Sequence, residues 1–360
     1  MSITVRSFAK INLGLRIGAL RADGFHELLT VYQTIALHDV IRVQVGRGSG
    51  IEIRSEDPHV PKDDSNTCYR IIKRAMAALK ARGRVVIEIE KWLPVQGGLG
   101  GASGNAVATL LALERALKKE LPGPEKLRIA AEVGSDLPLF LVGGTVLGVG
   151  RGEEVYPLPD LPAVACLVVT PEIGVSTPKA FADWDAQFPR GLKPGFSDDP
   201  IGTAEAAPLH DGANDRPDRK LTASPASDRM SEFGRVLSAW LSVPGRSKDK
   251  TKSGKGLSGV SARGRGRAET PLLDLVRTGI ENDFERVVFP QYPELLEVKR
   301  VVERAGAFYA SLSGSGSAIY GLFATRSAAQ KAAARLQKMG VKALATSTLT
   351  RRQYWSRIFD

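Results

Sequence analysis

The chain has 360 residues, of which 43% are hydrophobic and 25% are charged, proportions typical of a globular protein long enough to bury a large core. Its 50 Lys and Arg residues exceed its 39 Asp and Glu residues by 11, and this positive charge suits an anionic partner, either nucleic acid or a small phosphorylated molecule. Two cysteines, no apolar signal segment and no long apolar run exclude the disulfide-rich, secreted and membrane-spanning classes, so we expect a cytoplasmic protein without a membrane partner.

The apolar periodicity predicts alternating strands and helices on both sides of a long polar segment. Patterns rich in β-branched residues predict strands over 3–6, 35–45, 85–89, 164–169, 308–311, 318–323 and 343–349. Apolar side chains at helical spacing predict helices over 66–81, 103–119, 124–133, 272–277, 284–288, 293–306 and 327–339. The strands over 308–311 and 318–323 are expected to form a hairpin with a glycine-rich turn.

The segment 191–269 differs in composition from the rest of the chain. It is rich in Gly, Pro, Ser, Asp, Lys and Arg, and such a sequence buries too little apolar area to offset the entropy of ordering the chain. We therefore predict a low-complexity insertion, within which 230–241 is amphipathic enough for a short helix.

A glycine-rich loop lies between the strand predicted over 85–89 and the helix predicted from Ser103. Glycines let the backbone approach a ligand closely, and the free N–H groups at a helix N-terminus attract phosphate. The loop therefore indicates a phosphate site, with a turn that binds no ligand as the alternative. It has neither the Lys of a Walker A loop nor the third glycine of a dinucleotide fingerprint. Its residues are Pro94, Val95, Gln96, Gly97, Gly98, Leu99, Gly100, Gly101, Ala102, Ser103 and Gly104.

Two later segments each have a structural and a functional interpretation. Asp136 stands just before a helical turn that contains Pro138, where it is either a helix cap or a general base near the phosphate loop. The run SGSGS over 313–317 is either a tight β-turn or a backbone nest for phosphate. Neither segment decides between its two interpretations alone.

Two segments near the N-terminus carry further candidate residues. Lys10 and Asn12 lie on one face of a predicted strand, where a solvated lysine is the alternative to a site residue. Phe25 and His26 follow an Asp-Gly turn, and ordinary core or surface positions are the alternative to a pair that recognises a ligand.

In their order along the chain, these segments resemble the GHMP kinase superfamily of small-molecule kinases. The motifs FAKINLGL, ADGFHEL, GGLGGASGNA and GSDLPLFLVGGTVLGVGRGE are similar to those of its members that act on 4-diphosphocytidyl-2-C-methyl-D-erythritol, in the methylerythritol phosphate route to isoprenoids. The resemblance covers about 1–185 and 270–350. It implies an α+β fold of two lobes, the first (1–160) like domain 2 of ribosomal protein S5 and the second (161–360) ferredoxin-like, with the active site in the cleft.

The resemblance further implies an ATP-dependent kinase for the 2-hydroxyl of a small molecule that carries a cytidine diphosphate group. Asp136 would be the general base and Lys10 its cationic neighbour, while the loop 94–104 would hold the phosphates of ATP. Mg²⁺ would bridge the β- and γ-phosphates, with no protein ligand assigned to it. The substrate would be bound by Asn12, Phe25, His26, Phe181, Gly314 and Ser315.

Three positions depart from the family pattern, and two other functions compete. Ala102 replaces a common glycine, Gly104 a serine and Phe25 a frequent tyrosine. A homoserine or mevalonate kinase is one alternative, but a nucleotide-bearing substrate better explains an aromatic–histidine pair. RNA binding through the basic stretch 246–267 is the other, but aromatics at RNA-recognition spacing are missing, so we expect no nucleic-acid partner. The oligomeric state is left open.

Overall fold

The computed structural model of the chain describes residues 2–95, 97–188 and 281–359. Its strands are β1 (Ser2–Leu20), β2 (His26–Gly46), β3 (Ile51–Arg54), β4 (Arg84–Glu90), β5 (Thr145–Val149), β6 (Glu154–Pro157), β7 (Ala165–Val169), β8 (Tyr309–Leu312), β9 (Ile319–Phe323) and β10 (Ala343–Ser347). Its helices are α1 (Thr67–Ala78), α2 (Gly101–Leu117), α3 (Gly123–Val133), α4 (Leu137–Phe140), α5 (Thr177–Gln187), α6 (Glu285–Gln291), α7 (Pro293–Arg304), α8 (Arg326–Lys338) and α9 (Arg351–Arg357). The predictions for Gln96, for the insertion 191–269 with its helix 230–241, and for the helix 272–277 lie outside the described residues.

A long antiparallel hairpin of β1 and β2 organises the first sheet, whose strand order is β3-β4-β2-β5-β6 with β1 paired to β2. The strand predictions over 3–6 and 35–45 are confirmed, but both strands are far longer than predicted. Lys10, Asn12 and Arg16 interrupt the apolar alternation, so the sequence predicts the strand over 3–6 apart from the strand at Lys10 and Asn12, whereas β1 is continuous. All three side chains are nevertheless buried, so the polar part of β1 lies inside the protein.

Helices α1, α2 and α3 share one hydrophobic core with the first sheet. At the start of α1 the side chain of Asn66 accepts a hydrogen bond of 2.8 Å from the N–H of Cys68, as a helix cap does. Most of α2 is buried, including Val107, Leu110 and Leu113, which is the pattern of a helix enclosed on several sides. The helix predictions over 66–81, 103–119 and 124–133 are confirmed to within a few residues.

The second sheet is antiparallel throughout, with strand order β10-β7-β9-β8. Helices α5, α6, α7 and α8 contribute to its hydrophobic core. The predicted strands and the helices over 284–288, 293–306 and 327–339 are confirmed, whereas α5 is not predicted by the sequence pattern. Within the three described stretches, no helix has the length and apolar character needed to cross a lipid bilayer.

A third hydrophobic cluster joins the two sheets. It contains Ile11 and Leu13 of β1 together with Val168 of β7 and Tyr320 of β9. The Tyr320 hydroxyl donates a hydrogen bond of 2.7 Å to the carbonyl of Asn12. The buried side of β1 therefore forms the junction of the two sheets, and the polar residues of β1 lie at that junction.

The C-terminal segment returns to the first sheet, which the sequence pattern does not predict. The Tyr354 hydroxyl of α9 donates to the carbonyl of Phe140 at 2.7 Å, and the indole N–H of Trp355 donates to the carbonyl of Val142 at 3.0 Å. Helix α4 is therefore held from its C-terminal side by the end of the chain. The domain boundary predicted at residue 160 falls between β6 of the first sheet and β7 of the second.

Candidate active site

A buried lysine on β1 lies in the cleft between the two sheets. The Lys10 ammonium donates a hydrogen bond of 2.8 Å to Asn12 Oδ1 and forms an ion pair of 3.2 Å with Asp136 Oδ2. The Lys10 side chain is only 4% exposed, whereas that of Asp136 is 34% exposed. An ammonium removed from water is costly unless it is paired, so the two contacts stabilise its position. The alternative of a solvated lysine is wrong.

Asp136 precedes α4, but its side chain makes no capping hydrogen bond. Its Oδ1 atom instead accepts a hydrogen bond of 3.1 Å from the Tyr32 hydroxyl, and its Oδ2 atom faces Lys10. The helix-cap interpretation is therefore wrong. Because the carboxylate is held by two donors and still one-third exposed, it can accept a further hydrogen bond from a ligand in the cleft.

Tyr32 is a site residue that the sequence analysis misses. Burial raises the pKa of its hydroxyl well above the usual value, and the neighbouring charge of Asp136 raises it further. The hydroxyl therefore stays protonated and donates to Asp136. The Lys10 ammonium also lies 5.6 Å from the centre of the Tyr32 ring, within the range of a cation–π contact. Within its strand, Tyr32 looks like any buried aromatic residue, so only the fold reveals this contact.

The phosphate loop enters α2 two residues earlier than predicted. Helix α2 begins at Gly101, and Gly100 before it has a left-handed backbone with φ of 70°. The first N–H groups of a helix lack intrahelical partners and lie at the positive end of its dipole. The carbonyl of Leu99 accepts a hydrogen bond of 2.9 Å from the N–H of Lys10, which ties the loop to β1. The free N–H groups are thus held close to the strand that carries Lys10.

The turn 313–317 of the second sheet contacts the phosphate loop directly. It joins β8 to β9, which confirms the predicted glycine-rich hairpin. The Ser313 hydroxyl donates to the carbonyl of Gly98 at 2.9 Å, and the Ser315 hydroxyl lies 2.7 Å from that of Thr177. Gly314 is also close to the Lys10–Asn12 pair, since a Cβ atom there would lie 3.5 Å from Lys10 Nζ. Gly314 and Ser315 are therefore part of the cleft, while a phosphate nest at this turn stays a prediction.

A cavity of about 370 Å³ lies beside the phosphate loop. Such a volume is in the range of small-molecule sites. The segment before the loop, the loop itself and the start of α1 line it, and the lining includes Pro94, Val95, Gly97, Gly98, Leu99, Gly100, Gly101, Ala102 and Ser103. The predicted loop residues therefore border one cavity, except that Gly104 does not line it and Gln96 is outside the described residues.

Asp39 is a second residue that the sequence analysis misses. Its carboxylate is fully buried and accepts hydrogen bonds from Lys91 Nζ at 2.5 Å and from Asn105 Nδ2 at 2.9 Å. It also accepts from the backbone N–H groups of Trp92 and Leu93, both at 2.8 Å. One carboxylate thus fastens the segment before the phosphate loop to the first turns of α2.

The absence of a side chain at Gly104 follows from the closeness of β1. A Cβ atom at this position would lie 2.9 Å from Ser7 Oγ and 3.0 Å from the carbonyl oxygen of Phe8. A serine there would have to displace the strand. The nearest hydroxyl that the loop itself offers to a ligand is therefore that of Ser103, which is half-buried.

The aromatic residues expected to meet a base lie together at one end of the cleft. Phe25 is 51% exposed, whereas His26 is buried and its Nε2 donates a hydrogen bond of 2.9 Å to Asp185 Oδ1. The Phe181 ring stacks on the His26 ring, with centroids 4.8 Å apart and planes 12° apart. Phe181 therefore covers His26 itself, and Phe25 presents an exposed ring nearby.

The arrangement can do two things chemically. A carboxylate held beside an ammonium can accept a proton from a ligand hydroxyl, and the N-terminus of α2 can bind phosphate. Over the described ranges, no group of three or more His, Cys, Asp or Glu side chains could hold a metal ion. A divalent cation at this site would therefore draw most of its ligands from bound phosphate and water, as Mg²⁺ does with nucleotides.

Comparison with known proteins agrees with this geometry. The family model "GHMP kinases N terminal domain" matches residues 66–144, and "GHMP kinases C terminal" matches residues 269–342. A protein of Solibacter usitatus named 4-diphosphocytidyl-2-C-methyl-D-erythritol kinase is 34% identical over 324 residues, which cover 90% of this chain and 82% of that protein. The protein of the same name from Acaryochloris marina is 31% identical over 335 residues, with coverage of 93% and 91%.

Solved structures share the two-lobed architecture. A crystal structure of 4-(cytidine 5'-diphospho)-2C-methyl-D-erythritol kinase matches with a TM-score of 0.64 and 25% identity, covering 96% of this chain and 98% of that one. A homoserine kinase from Cytophaga hutchinsonii matches with a TM-score of 0.64 and 19% identity, covering 97% and 95%. A mevalonate kinase matches with a TM-score of 0.61 and 13% identity, covering 97% and 99%. These matches confirm the predicted α+β fold of two lobes.

The contact between the two lobes at Gly98 gives a test of stability. Gly98 has φ of +74°, and a Cβ atom there would lie 2.0 Å from the carbonyl oxygen of Ser313. Gly24 has φ of +82° but no atom within 4 Å of the same position, so it is a matched control. We expect Gly24→Ala to lower the free energy of unfolding by about 1–2 kcal/mol through backbone strain alone, and Gly98→Ala to lower it clearly more. Urea unfolding measures both, and equal losses would show that the lobe contact relaxes freely.

Proposed function

We infer that this chain, which belongs to the family of 4-diphosphocytidyl-2-C-methyl-D-erythritol kinases within the GHMP kinases, transfers the γ-phosphoryl group of ATP to the 2-hydroxyl of that sugar alcohol. Identity of 34% and 31% to family members over nine-tenths of the chain supports this inference. The single structural observation that carries it is the ion pair of Lys10 and Asp136, which lies beside the phosphate loop.

The chemistry asks for a group that accepts the proton of the substrate alcohol. In our proposal the 2-hydroxyl oxygen attacks the γ-phosphorus, so that a new O–P bond forms while the bond from phosphorus to the bridging oxygen of ADP breaks. The hydroxyl proton passes to the Asp136 carboxylate, and ADP leaves with the bond electrons. Lys10 and Tyr32 hold that carboxylate in place, and Lys10 also offsets the negative charge of the transferred group.

The nucleotide is proposed to occupy the cavity beside the phosphate loop. The glycines of the loop leave room for phosphate oxygens, and the free N–H groups of the first turn of α2 are their donors. Asp39 holds the segment before the loop and the first turns of α2 together, because it accepts hydrogen bonds from Leu93 N and Asn105 Nδ2. Mg²⁺ would supply charge neutralisation at the β- and γ-phosphates, and the Ser103 hydroxyl, which lines the cavity, is the side chain proposed to approach it.

The cytidine end of the substrate is proposed to bind at the other end of the cleft. The exposed Phe25 ring offers a stacking face to the pyrimidine, and the stacked pair of His26 and Phe181 forms a wall beside it. Asn12 is the polar group proposed near the acceptor hydroxyl, because its Oδ1 atom already orients Lys10. Gly314 and Ser315 close the cleft from the second lobe.

The alternatives have less support. The homoserine and mevalonate kinases match at 19% and 13% identity, and matches this low support a shared fold but not a shared substrate. The basic stretch 246–267, on which RNA binding would depend, is outside the described residues, and the relatives that cover nine-tenths of the chain are named as kinases.

The proposed function is tested by the choice of phosphoryl acceptor. Release of ADP, coupled to the oxidation of NADH, is followed with 4-diphosphocytidyl-2-C-methyl-D-erythritol, homoserine or mevalonate as the acceptor. We expect turnover with the diphosphocytidyl compound and little or none with the other two. Faster turnover with homoserine or mevalonate would show that the substrate is wrong, and no turnover with any of them would show that the reaction is wrong.

The general base is tested by Asp136→Asn. The amide cannot take up the proton, so we expect kcat to fall by about 10²- to 10⁴-fold while the KM for ATP stays within about twofold. Glu303→Gln removes an exposed carboxylate on α7, in the other lobe, and is the control. Thermal unfolding checks that both variants fold. A kcat close to that of the wild type in Asp136→Asn would contradict the assignment.

The cytidine site is tested by Phe25→Ala. Base stacking is worth about 1–3 kcal/mol, so we expect the KM for the diphosphocytidyl substrate to rise about tenfold or more while the KM for ATP is unchanged. Tyr156→Ala, which removes another exposed aromatic ring from the same lobe, should change neither constant. An equal rise of both KM values in Phe25→Ala would mean that the ring stabilises the shape of the cleft and does not stack on the base.

A further inference from the structure

The turn 150–153 between β5 and β6 lies between the two ends of the proposed substrate site. The guanidinium carbon of Arg151 is 4.9 Å from the centre of the Phe25 ring. A Cβ atom on the next residue, Gly152, would lie 2.4 Å from the Tyr32 hydroxyl, which in turn donates to Asp136. Adjacent residues of one turn therefore contact the ring assigned to the base and the hydroxyl that orients the carboxylate.

This position matters because of what joins the two ends of the substrate. The inference rests on the proposed function, in which cytidine binds at Phe25 and the acceptor hydroxyl binds at Asp136. A diphosphate connects them, and each of its phosphates carries a negative charge at neutral pH. Because the turn 150–153 borders both the Phe25 ring and the Tyr32 hydroxyl, the diphosphate of a substrate bound in this way lies beside that turn.

The Arg151 side chain is held in a way that leaves donors free. Both oxygens of Glu153 are occupied by Arg151, since Oε2 accepts from its backbone N–H at 2.6 Å and Oε1 accepts from its Nε at 3.0 Å. The side chain is 27% exposed. The Nη1 and Nη2 groups make no hydrogen bond to any residue in the described stretches. A guanidinium fixed through Nε presents those two groups as a parallel pair, which matches phosphate oxygens.

Two carboxylates interact with Arg151, Glu153 through hydrogen bonds and Asp23 through its charge, and neither bonds to Nη1 or Nη2. Among the residues that the structure describes, Glu153 is the carboxylate hydrogen-bonded to Arg151, and both of its oxygens are already used. The nearby Arg21 is engaged by Asp23 and by Glu27, at 3.3 Å and 3.0 Å. The Nη1 and Nη2 groups of Arg151 are therefore not bonded to these carboxylates and can donate to a bound diphosphate.

We propose that Arg151 is a specificity-determining residue that binds the diphosphate of the cytidyl substrate through Nη1 and Nη2. Its stacking on Phe25 links recognition of the diphosphate to recognition of the base. The ligand class is a pyrimidine nucleoside diphosphate or its ester, and a nucleoside without phosphate lacks this contact.

The test compares the binding of CDP and of cytidine to the full chain by calorimetry, alongside steady-state kinetics. Arg151→Met keeps an apolar side chain against Phe25 but removes the charge. Arg151→Met/Glu153→Gln also removes the carboxylate charge that would otherwise lose its partner, so it separates electrostatic strain from the loss of the contact. Arg151→Lys keeps the charge without the parallel donors. Arg128→Met removes a glutamate-paired arginine on α3 and controls for net charge.

We expect both methionine variants to raise the Kd for CDP and the KM for the diphosphocytidyl substrate by about 10- to 100-fold, the range for a hydrogen bond to a charged group. The Kd for cytidine and the KM for ATP should stay within about twofold, and Arg151→Lys should be intermediate. Arg128→Met should match the wild type.

Three results would overturn the inference. An equal rise of the Kd for CDP and for cytidine would mean that Arg151 merely supports Phe25. Unchanged constants in the methionine variants, with an active wild type, would mean that Arg151 does not meet the diphosphate and would leave the proposed function intact. A wild type that neither binds CDP nor turns over the cytidyl substrate would overturn the proposed function, and the inference with it.

Discussion

The buried ammonium of Lys10 is the constraint on which the cleft depends. An ammonium taken out of water is stable only beside groups that compensate its charge, and here these are Asn12 Oδ1 and the Asp136 carboxylate. Asp136 is brought to this place by α4, whose far end is held by the hydroxyl of Tyr354. The position of one carboxylate thus depends on β1 from the start of the chain, on β2 through Tyr32, and on the C-terminal helix.

The second constraint is the close approach of backbone to backbone where the two lobes meet. The carbonyl of Gly98 accepts from the Ser313 hydroxyl, and the carbonyl of Gly97 accepts from the N–H of Ala318. A side chain at Gly98 would collide with the other lobe, as one at Gly104 would with β1. The glycines of the loop therefore serve two purposes. In the proposed function they leave space for phosphate, and in the structure they let three parts of the chain come together.

The electrostatics of the cleft differ from what the net charge suggests. The chain carries a formal charge of +11, yet the cations nearest the proposed ligands are each matched by one carboxylate. Lys10 faces Asp136, Lys91 faces Asp39 and Arg151 faces Glu153. Such pairing fixes each cation in one position before an anion binds. Recognition then depends on which donors of each cation stay free, and less on the total charge of the protein.

The sequence by itself determined the order of most strands and helices, the glycine-rich loop before α2 and the family, because these depend on local periodicity and on motifs of adjacent residues. It placed Lys10, Asn12 and Asp136 among the candidates, but left each with a second interpretation that only their mutual distances removed. The sequence did not reveal the roles of Tyr32 and Asp39, because the hydrogen bonds that define those roles join residues 104 and 66 positions apart. Helix α9 was not predicted either, although Thr350 and Gln353 form a capping box at its start, a local signal that the apolar periodicity does not include. The tertiary structure decided what depends on contacts between distant segments, because a side chain's partners, burial and pKa are set by whatever the fold brings beside it.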